Sequence, residues 1–201
     1  MKNPQCASFP VVCLGGSALD LSAYGQLLAD LPVDLGIAIV VIDDLKKDSS
    51  LFSEGLPHCT RMPTEVITDG LLLMPNHVYF LRNGHDLHVL DGKFLLKPKS
   101  KPVGWPDVIT VFLRSLTEHW HGKLIAVILA GYDGDGAPAL RGIKEAGGTT
   151  IAQKADTAEK PDMPLSAIAS GYIDHILSID DIAKAIVRIS NAELYPTVLP
   201  A

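Results

Sequence analysis

The chain has 201 residues, of which 47% are hydrophobic and 20% are charged. This balance is typical of a folded globular protein and excludes a largely disordered chain. The net charge is −6, and the segment KPKSKP at residues 97–102 is the only basic run. Nucleic acid is therefore not expected as a partner, because phosphate binding needs a basic surface.

Membrane insertion and metal binding are also not expected. The longest apolar runs, residues 36–42 and 124–131, are much shorter than the roughly 20 residues that cross a bilayer. The N-terminus has no apolar signal region, so we expect a cytoplasmic location. Cys6, Cys13 and Cys59 form no C-x-x-C pair, which predicts neither a disulfide framework nor a zinc site.

Apolar runs of strand length alternate with helical patterns along the chain. They predict strands over residues 10–14, 37–42, 124–129 and 149–152, and helices over residues 18–31, 106–121, 137–146 and 180–190. Residues 65–96 read as short strands, with a hairpin at Asp91-Gly92. We expect one domain over residues 1–201, a three-layer, doubly wound, mainly parallel α/β sheet with an antiparallel edge hairpin. Residues 191–201 are expected to form a C-terminal tail.

The first predicted strand runs into Gly15, Gly16 and Ser17 before a helix begins. The pattern is not G-x-G-x-x-G and no Walker lysine follows, so we expect no nucleotide cofactor. Ser17 is suited to cap the following helix. The same turn would also place its hydroxyl at the C-terminal edge of a parallel sheet, where open α/β proteins bind ligands. The turn alone leaves both interpretations open.

A second strand, glycine turn and helix occur at residues 123–140, KLIAVILAGYDGDGAPAL, with Asp133 and Asp135 in the turn. Carboxylates at a helix N-terminus are favoured by the helix dipole, which is one interpretation. A calcium site is disfavoured because the further oxygen ligands of an EF-hand loop are missing. No metal or other cofactor is expected here.

Three segments carry a resemblance to a known family. LGGSALD, ILAGYDGDGAPAL and AQKADTAEKPDMPLSAIASGYIDHIL are similar, in order and spacing, to the CheB-type protein-glutamate methylesterase domain. The third is the most specific, since Ala152-Gln153, Thr157 and Met163-Pro164 fit the family's A-Q-x-x-x-T and G-M-P pattern. The resemblance covers residues 11–189, nearly the whole chain.

The resemblance implies a serine hydrolase that cleaves glutamate methyl esters on chemoreceptors through a Ser–His–Asp triad. It makes Ser17 the nucleophile, Asp135 the orienting aspartate and the backbone N–H of Tyr132 an oxyanion donor. Gly16, Ala18 and Met163 fall in the substrate groove. The implied partner is a methylated, chemoreceptor-like helix or another signalling protein.

The chain departs from the family at the catalytic histidine, because Asp44 occupies that position in IVVIDDLKKDS. A carboxylate with a pKa near 4 is a poorer base at neutral pH than an imidazole with a pKa near 6.5. His85, in a segment that also resembles the family, is a candidate substitute base. The helix start is only partly kept, at Pro106-Asp107, and no receiver domain is expected.

Two hypotheses follow from this departure. The chain is a methylesterase-like hydrolase with weak or altered activity, or it is a catalytically inactive relative that binds a receptor or another signalling partner. Serine-dependent turnover of an activated ester distinguishes them, because only the first requires Ser17 as a nucleophile.

Overall fold

The computed structural model describes residues 8–17, 21–43, 55–81, 84–101 and 107–194. The strands are β1 Val11–Gly16, β2 Ala38–Asp43, β3 Thr64–Val66, β4 His77–Phe80, β5 His85–Leu90, β6 Lys93–Pro98, β7 Leu124–Ile128, β8 Thr149–Gln153 and β9 His175–Leu177. The helices are α1 Leu21–Ala29, α2 Val108–His119, α3 Leu140–Glu145, α4 Asp162–Ala169 and α5 Ile179–Leu194. Short 3₁₀ turns cover Leu56–Cys59, Ala137–Ala139 and Ala155–Thr157.

Seven of these strands form one parallel sheet in the order β3-β4-β2-β1-β7-β8-β9. The central strands β1, β2 and β7 are buried along their whole length, as expected for strands covered by helices on both faces. β1 lies between β2 and β7. The strands β2, β3 and β4 lie on one side of it, and the later strands β7, β8 and β9 lie on the other side. Such a switch point is where open α/β sheets place their ligand sites.

The two faces of the sheet follow from the alternation of side chains along each strand. In β1, Cys13 packs in the layer with α2, α3 and the β5–β6 hairpin, whereas Val12 packs in the layer with α1 and α5. Both layers are apolar, because the central strands β1, β2 and β7 present mainly Val, Ile, Leu and Ala to both sides. The predicted three-layer α/β architecture is therefore confirmed.

The predicted hairpin is also present, and it forms its own two-stranded antiparallel sheet. Its apolar face, with Leu87, Val89 and Phe94, packs in the same core layer as Phe112 of α2. The Val89 N–H and carbonyl both bond to Ser115 Oγ on that helix. The hairpin therefore covers α2 instead of extending the edge of the main sheet.

The predicted elements occur, with shifted ends. The segment predicted as one helix at residues 137–146 begins as a 3₁₀ turn, in which Pro138 lies where its missing N–H is not needed, and continues as α3. The last helix extends to Leu194, into the first residues of the predicted tail; residues 195–201 lie outside the described residues. No helix within the described ranges has the length and apolar character needed to span a membrane.

Candidate active site

The candidate site lies at the switch point, where the C-terminal ends of β1 and β7 meet. Ser17 directly follows β1, and the loop at residues 129–136 directly follows β7. The two strands pair in parallel register from Val11 opposite Leu124 to Gly15 opposite Ile128. The serine and the acidic loop predicted from the two glycine turns are therefore on the same edge of the sheet.

Ser17 is bonded to the β7 loop through both its backbone and its side chain. Its N–H donates to the Ala130 carbonyl at 3.1 Å, and its Oγ accepts a hydrogen bond from the Tyr132 N–H at 3.0 Å. The serine is 4% exposed. The hydroxyl therefore lies against the backbone N–H for which the sequence predicts an oxyanion role. The alternative in which Ser17 caps α1 involves residues 18–20, which are outside the described residues.

The loop that holds Tyr132 is attached to the segment between β8 and α4. The Gly131 N–H donates to the Lys160 carbonyl at 2.8 Å, and the Gly131 carbonyl accepts from the Met163 N–H at 3.1 Å. The Ala130 N–H donates to Gln153 Oε1 at 2.9 Å. These three bonds fix the backbone on which the Tyr132 N–H is carried.

Asp135 is 6% exposed, and its carboxylate caps α2 from outside that helix. Oδ2 accepts from the Ile109 N–H at 2.8 Å, and Oδ1 accepts from the N–H groups of Thr110 at 2.8 Å and Gly136 at 2.7 Å. The N-cap residue of α2, Asp107, makes no capping bond with its own side chain. Asp135 thus satisfies N–H groups that a helix leaves unpaired at its start.

Burial raises the pKa of Asp135 to about 6, although hydrogen bonds from the Thr110 side chain and from the three backbone N–H groups oppose this shift. The carboxylate is therefore anionic at neutral pH and protonated under mildly acidic conditions. The three backbone N–H groups and the Thr110 side chain together occupy the roughly four acceptor positions that an ionised carboxylate offers.

The nearby thiol of Cys13 is a different case. Burial, together with the negative charge of Asp135, raises the pKa of Cys13 far above its usual value. A thiol that stays protonated is a poor nucleophile. Cys13 therefore packs as an apolar residue under the site and does not compete with Ser17.

The remaining predicted site residues are distributed as follows. Asp44 and Ala18 lie outside the described residues, so their roles stay predictions. Gly16 is buried at the end of β1, where an added Cβ would lie 2.3 Å from Tyr24 Oη. Met163 is fully buried, and its Cε would lie 2.7 Å from a Cβ at Gly131. Met163 supports the loop by packing against it, and its direct contact with a substrate stays a prediction.

His85 is exposed at the start of β5, opposite Pro98 in the hairpin. Within the described residues it makes no hydrogen bond with Ser17 or Asp135. A base must come within hydrogen-bond reach of the serine hydroxyl. The observed contacts therefore do not support His85 as the substitute base.

The sequence prediction assigned no role to the groups that orient the loop. In the sequence, Gln153 is recognisable only as part of the A-Q-x-x-x-T motif. The N–H groups of Ile109 and Thr110 belong to the backbone, so no side chain identifies them as part of the site. The Pro-Asp start of the helix was the one sequence feature near these groups. Within the ranges that the structure describes, no group of three or more His, Cys, Asp or Glu side chains could hold a metal ion.

Comparison with known proteins identifies the family and the fold. The sequence model of the family described as CheB methylesterase matches residues 12–186. The chain is 28% identical over 188 residues to "Protein-glutamate methylesterase/protein-glutamine glutaminase 4" of Burkholderia thailandensis, which covers 92% of this chain and 55% of that protein. This chain thus spans about half the length of the first curated relatives.

Two further matches extend over the whole of the compared chain. A "Putative protein-glutamate methylesterase/protein-glutamine glutaminase" of Leptospira interrogans is 30% identical over 196 residues, which cover 93% of this chain and 98% of that protein. The crystal structure of the Thermotoga maritima CheB methylesterase catalytic domain superposes with a TM-score of 0.83 at 26% identity, covering 91% of this chain and 100% of that one.

Proposed function

This chain belongs to the CheB methylesterase family, and on that premise we propose that it is a serine hydrolase acting on methyl esters of protein glutamate side chains. The proposed substrate is a helical, chemoreceptor-like segment, and the proposed location is the cytoplasm. The observation that carries the proposal is the 3.0 Å hydrogen bond from the Tyr132 N–H to Ser17 Oγ. It brings together a nucleophile and a donor for the oxyanion that the nucleophile creates.

In the proposed reaction, Ser17 Oγ attacks the ester carbonyl carbon while a base takes its proton. The carbonyl oxygen becomes an oxyanion, and the Tyr132 N–H, no longer bonded to the free hydroxyl, donates to it. The tetrahedral intermediate collapses, and methanol leaves with the proton. Water then cleaves the acyl-serine to a glutamate carboxylate and restores the hydroxyl.

The base limits this reaction. The resemblance puts Asp44 at the family's histidine position, and an ordinary carboxylate is a weaker base than an imidazole by more than two pKa units. Asp135 is an anion above pH about 6, so at neutral pH it would stabilise a cationic base but adds repulsion to a second carboxylate. We therefore propose that turnover is weak compared with a complete triad.

A second candidate function is binding without catalysis. Tyr132 is 43% exposed, and Leu165 on the adjoining helix α4 is 48% exposed. Large apolar side chains left in solvent beside a site suit contact with a protein segment. In this alternative the chain is an inactive relative that binds a receptor or another signalling protein through the same face.

The test compares turnover of an activated ester by wild type, Ser17→Ala, Asp44→His and the double variant. An imidazole at position 44 would supply the missing base and remove one carboxylate. We expect Asp44→His to raise turnover by about 100-fold or more, because general base catalysis contributes 10² to 10⁴. Ser17→Ala should abolish both the basal rate and the gain. If folded Asp44→His shows no serine-dependent increase, the binding alternative replaces the hydrolase.

A further inference from the structure

Gln153, the last residue of β8, is a fully buried polar side chain that the proposed chemistry does not use. Its Oε1 accepts from the Ala130 N–H at 2.9 Å, and its Nε2 donates to the Thr157 carbonyl at 3.0 Å. One partner is an N–H and the other a carbonyl, so only one orientation of the amide satisfies both. The side chain is therefore locked.

The Ala130 peptide needs this side chain because strand pairing stops before it. β7 and β8 pair up to Ile128 opposite Ala152, and Ala130 lies beyond that register while still 3% exposed. A buried N–H without a partner is costly, so some acceptor must reach it. Gln153 is the residue that follows Ala152, and its side chain extends past the end of the ladder.

The other end of Gln153 is attached to a closed turn. The Thr157 N–H and Oγ1 both donate to the Lys154 carbonyl, at 3.0 Å and 2.8 Å. This 3₁₀ turn, Ala155–Thr157, presents the Thr157 carbonyl to Gln153. The A-Q-x-x-x-T motif thus forms a rigid support from which Gln153 reaches the β7 loop.

Ala130 connects this support to Ser17 and to the Tyr132 N–H. Its carbonyl accepts from the Ser17 N–H at 3.1 Å, and two residues later the Tyr132 N–H donates to Ser17 Oγ at 3.0 Å. The bond from Gln153 therefore acts on a peptide that contacts the backbone of the nucleophile and sets the direction of the oxyanion donor. Gln153 itself makes no hydrogen bond with Ser17 among the described residues.

We propose that Gln153 is a positioning residue: it orients the residue 130–132 backbone so that the Tyr132 N–H points at Ser17 Oγ. Its effect on turnover rests on the proposed function, whereas its effect on the Tyr132 amide does not. A purely structural Gln153 would add stability only. The two roles differ in what happens to the Tyr132 N–H when the side chain is altered.

The decisive variant is Gln153→Met, which keeps the length of the side chain and removes both hydrogen bonds. Its matched control is Thr150→Val on the same strand, because Thr150 is also fully buried and donates to the Tyr172 carbonyl at 2.6 Å. Thr150 lies at the other end of β8, away from Ser17. Both changes remove buried hydrogen bonds, and only one acts on the proposed site.

The first measurement is the ¹⁵N–¹H amide signal of Tyr132, which needs no turnover. Ser17→Ala defines the signal without the hydroxyl acceptor. We expect Gln153→Met to move the Tyr132 signal towards that of Ser17→Ala, and Thr150→Val to leave it in place. A Tyr132 signal unchanged in Gln153→Met overturns the proposal.

Gln153→Glu keeps the test valid if the methionine variant does not fold. A neutral carboxylic acid can accept from Ala130 and donate to Thr157 as the amide does, whereas the ionised form has no donor. The Tyr132 signal of this variant should return to the wild-type position as the pH is lowered. A signal that stays away from the wild-type position at low pH, after correction for the pH dependence of wild type, contradicts the positioning role.

The second measurement is ester turnover. We expect Gln153→Met to lower kcat by about 100-fold with KM within about twofold, since a small misplacement of a catalytic group can have an effect of this size. Thr150→Val should keep the wild-type kcat. If wild type shows no serine-dependent turnover, the proposed function fails while the amide signal still decides the role of Gln153. Equal kcat losses in both variants would show a structural role only.

Discussion

The two glycine turns beside the site have the same sequence pattern but are held by different interactions. At the end of β1, where the first turn begins, a Cβ added at Gly15 would lie 2.8 Å from Ile109 Cγ2, and one at Gly16 would lie 2.3 Å from Tyr24 Oη. The turn after β7 is held by hydrogen bonds to Gln153 and by those that Asp135 accepts. The first turn should therefore respond to added volume. The second should respond to charge and to lost acceptors as well as to volume, since a Cβ at Gly131 would lie 2.6 Å from Ser17 Oγ.

The largest expected effect concerns the charge in the second turn. The pKa of Asp135 is raised from 3.8 to about 6, so the folded protein binds this proton more tightly than the unfolded chain. The resulting stability is fully present below pH 3.8 and is lost as the pH rises through about 6. Two pKa units correspond to about 3 kcal/mol.

The measurement is the free energy of unfolding of wild type and Asp135→Asn from pH 4 to pH 7. The variant lacks the titrating group, so the wild-type value minus the variant value should fall by about 2.5 kcal/mol over this range. Taking the difference removes the contribution of the other acids. A difference that stays constant with pH would show that the carboxylate keeps an ordinary pKa in the fold.

The first turn is tested by Gly16→Ala. The added methyl would meet Tyr24 Oη at 2.3 Å and the Ala130 carbonyl oxygen at 3.0 Å, so the packing must shift. We expect a loss of about 2 kcal/mol in the free energy of unfolding, as is typical of overpacking. Tyr24→Phe in the Gly16→Ala background should recover part of the loss, because it removes the hydroxyl that the added methyl would meet. The recovery should be incomplete, because the contact with the Ala130 carbonyl remains.

Gly134 in the second turn is the matched control. A Cβ there would lie 3.5 Å from Ser166, which is an ordinary contact. Gly134→Ala should therefore change stability by less than about 0.5 kcal/mol. Chemical denaturation of the two alanine variants measures both effects. Equal losses at the two glycines would show that the close contact at Gly16 does not cause its loss of stability.

A small effect is also expected at Lys160. Its carbonyl accepts the Gly131 N–H, and its Nζ lies 5.3 Å from the centre of the Tyr132 ring. Lys160→Ala keeps the backbone carbonyl and removes the cation of the side chain. We therefore expect the free energy of unfolding to fall by about 0.5 kcal/mol. Added salt should not make this loss larger. A loss above about 2 kcal/mol in denaturant titrations would show that the side chain also anchors the loop.

The order of the main elements could be predicted because these strands and helices carry their own periodicity, whereas the short elements α4 and β9 were not predicted from it. Residues 37–42 and 124–129 are apolar runs of strand length, and both form strands buried on their two faces. The ends of the elements were less certain, as at residues 137–146, where the helix begins with a 3₁₀ turn. The hairpin could be predicted from Asp91-Gly92, but its packing against α2 depends on residues in a distant part of the chain.

The candidate site was only partly predictable for the same reason. Ser17, Tyr132 and Asp135 occupy recognisable motif positions, and the family comparison confirms the resemblance on which those positions were chosen. The capping of α2 by Asp135 joins residues 25 and 26 positions apart, and no local pattern announces it. Gln153 belongs to a recognisable motif, but its hydrogen-bond partner Ala130 is 23 positions away, so the sequence does not show that the two residues are bonded.

The sequence by itself determined that Ser17 ends one apolar strand and that an acidic glycine loop ends another, because strand periodicity and turn residues are local properties of the chain. Only the tertiary structure decided that these ends are adjacent, since β1 pairs with β7 across more than half of the chain. The hydrogen bond between Tyr132 and Ser17 spans 115 positions. Its geometry depends on sheet order and on the contacts of Gln153, Lys160 and Met163, which arise only when the strands pack together.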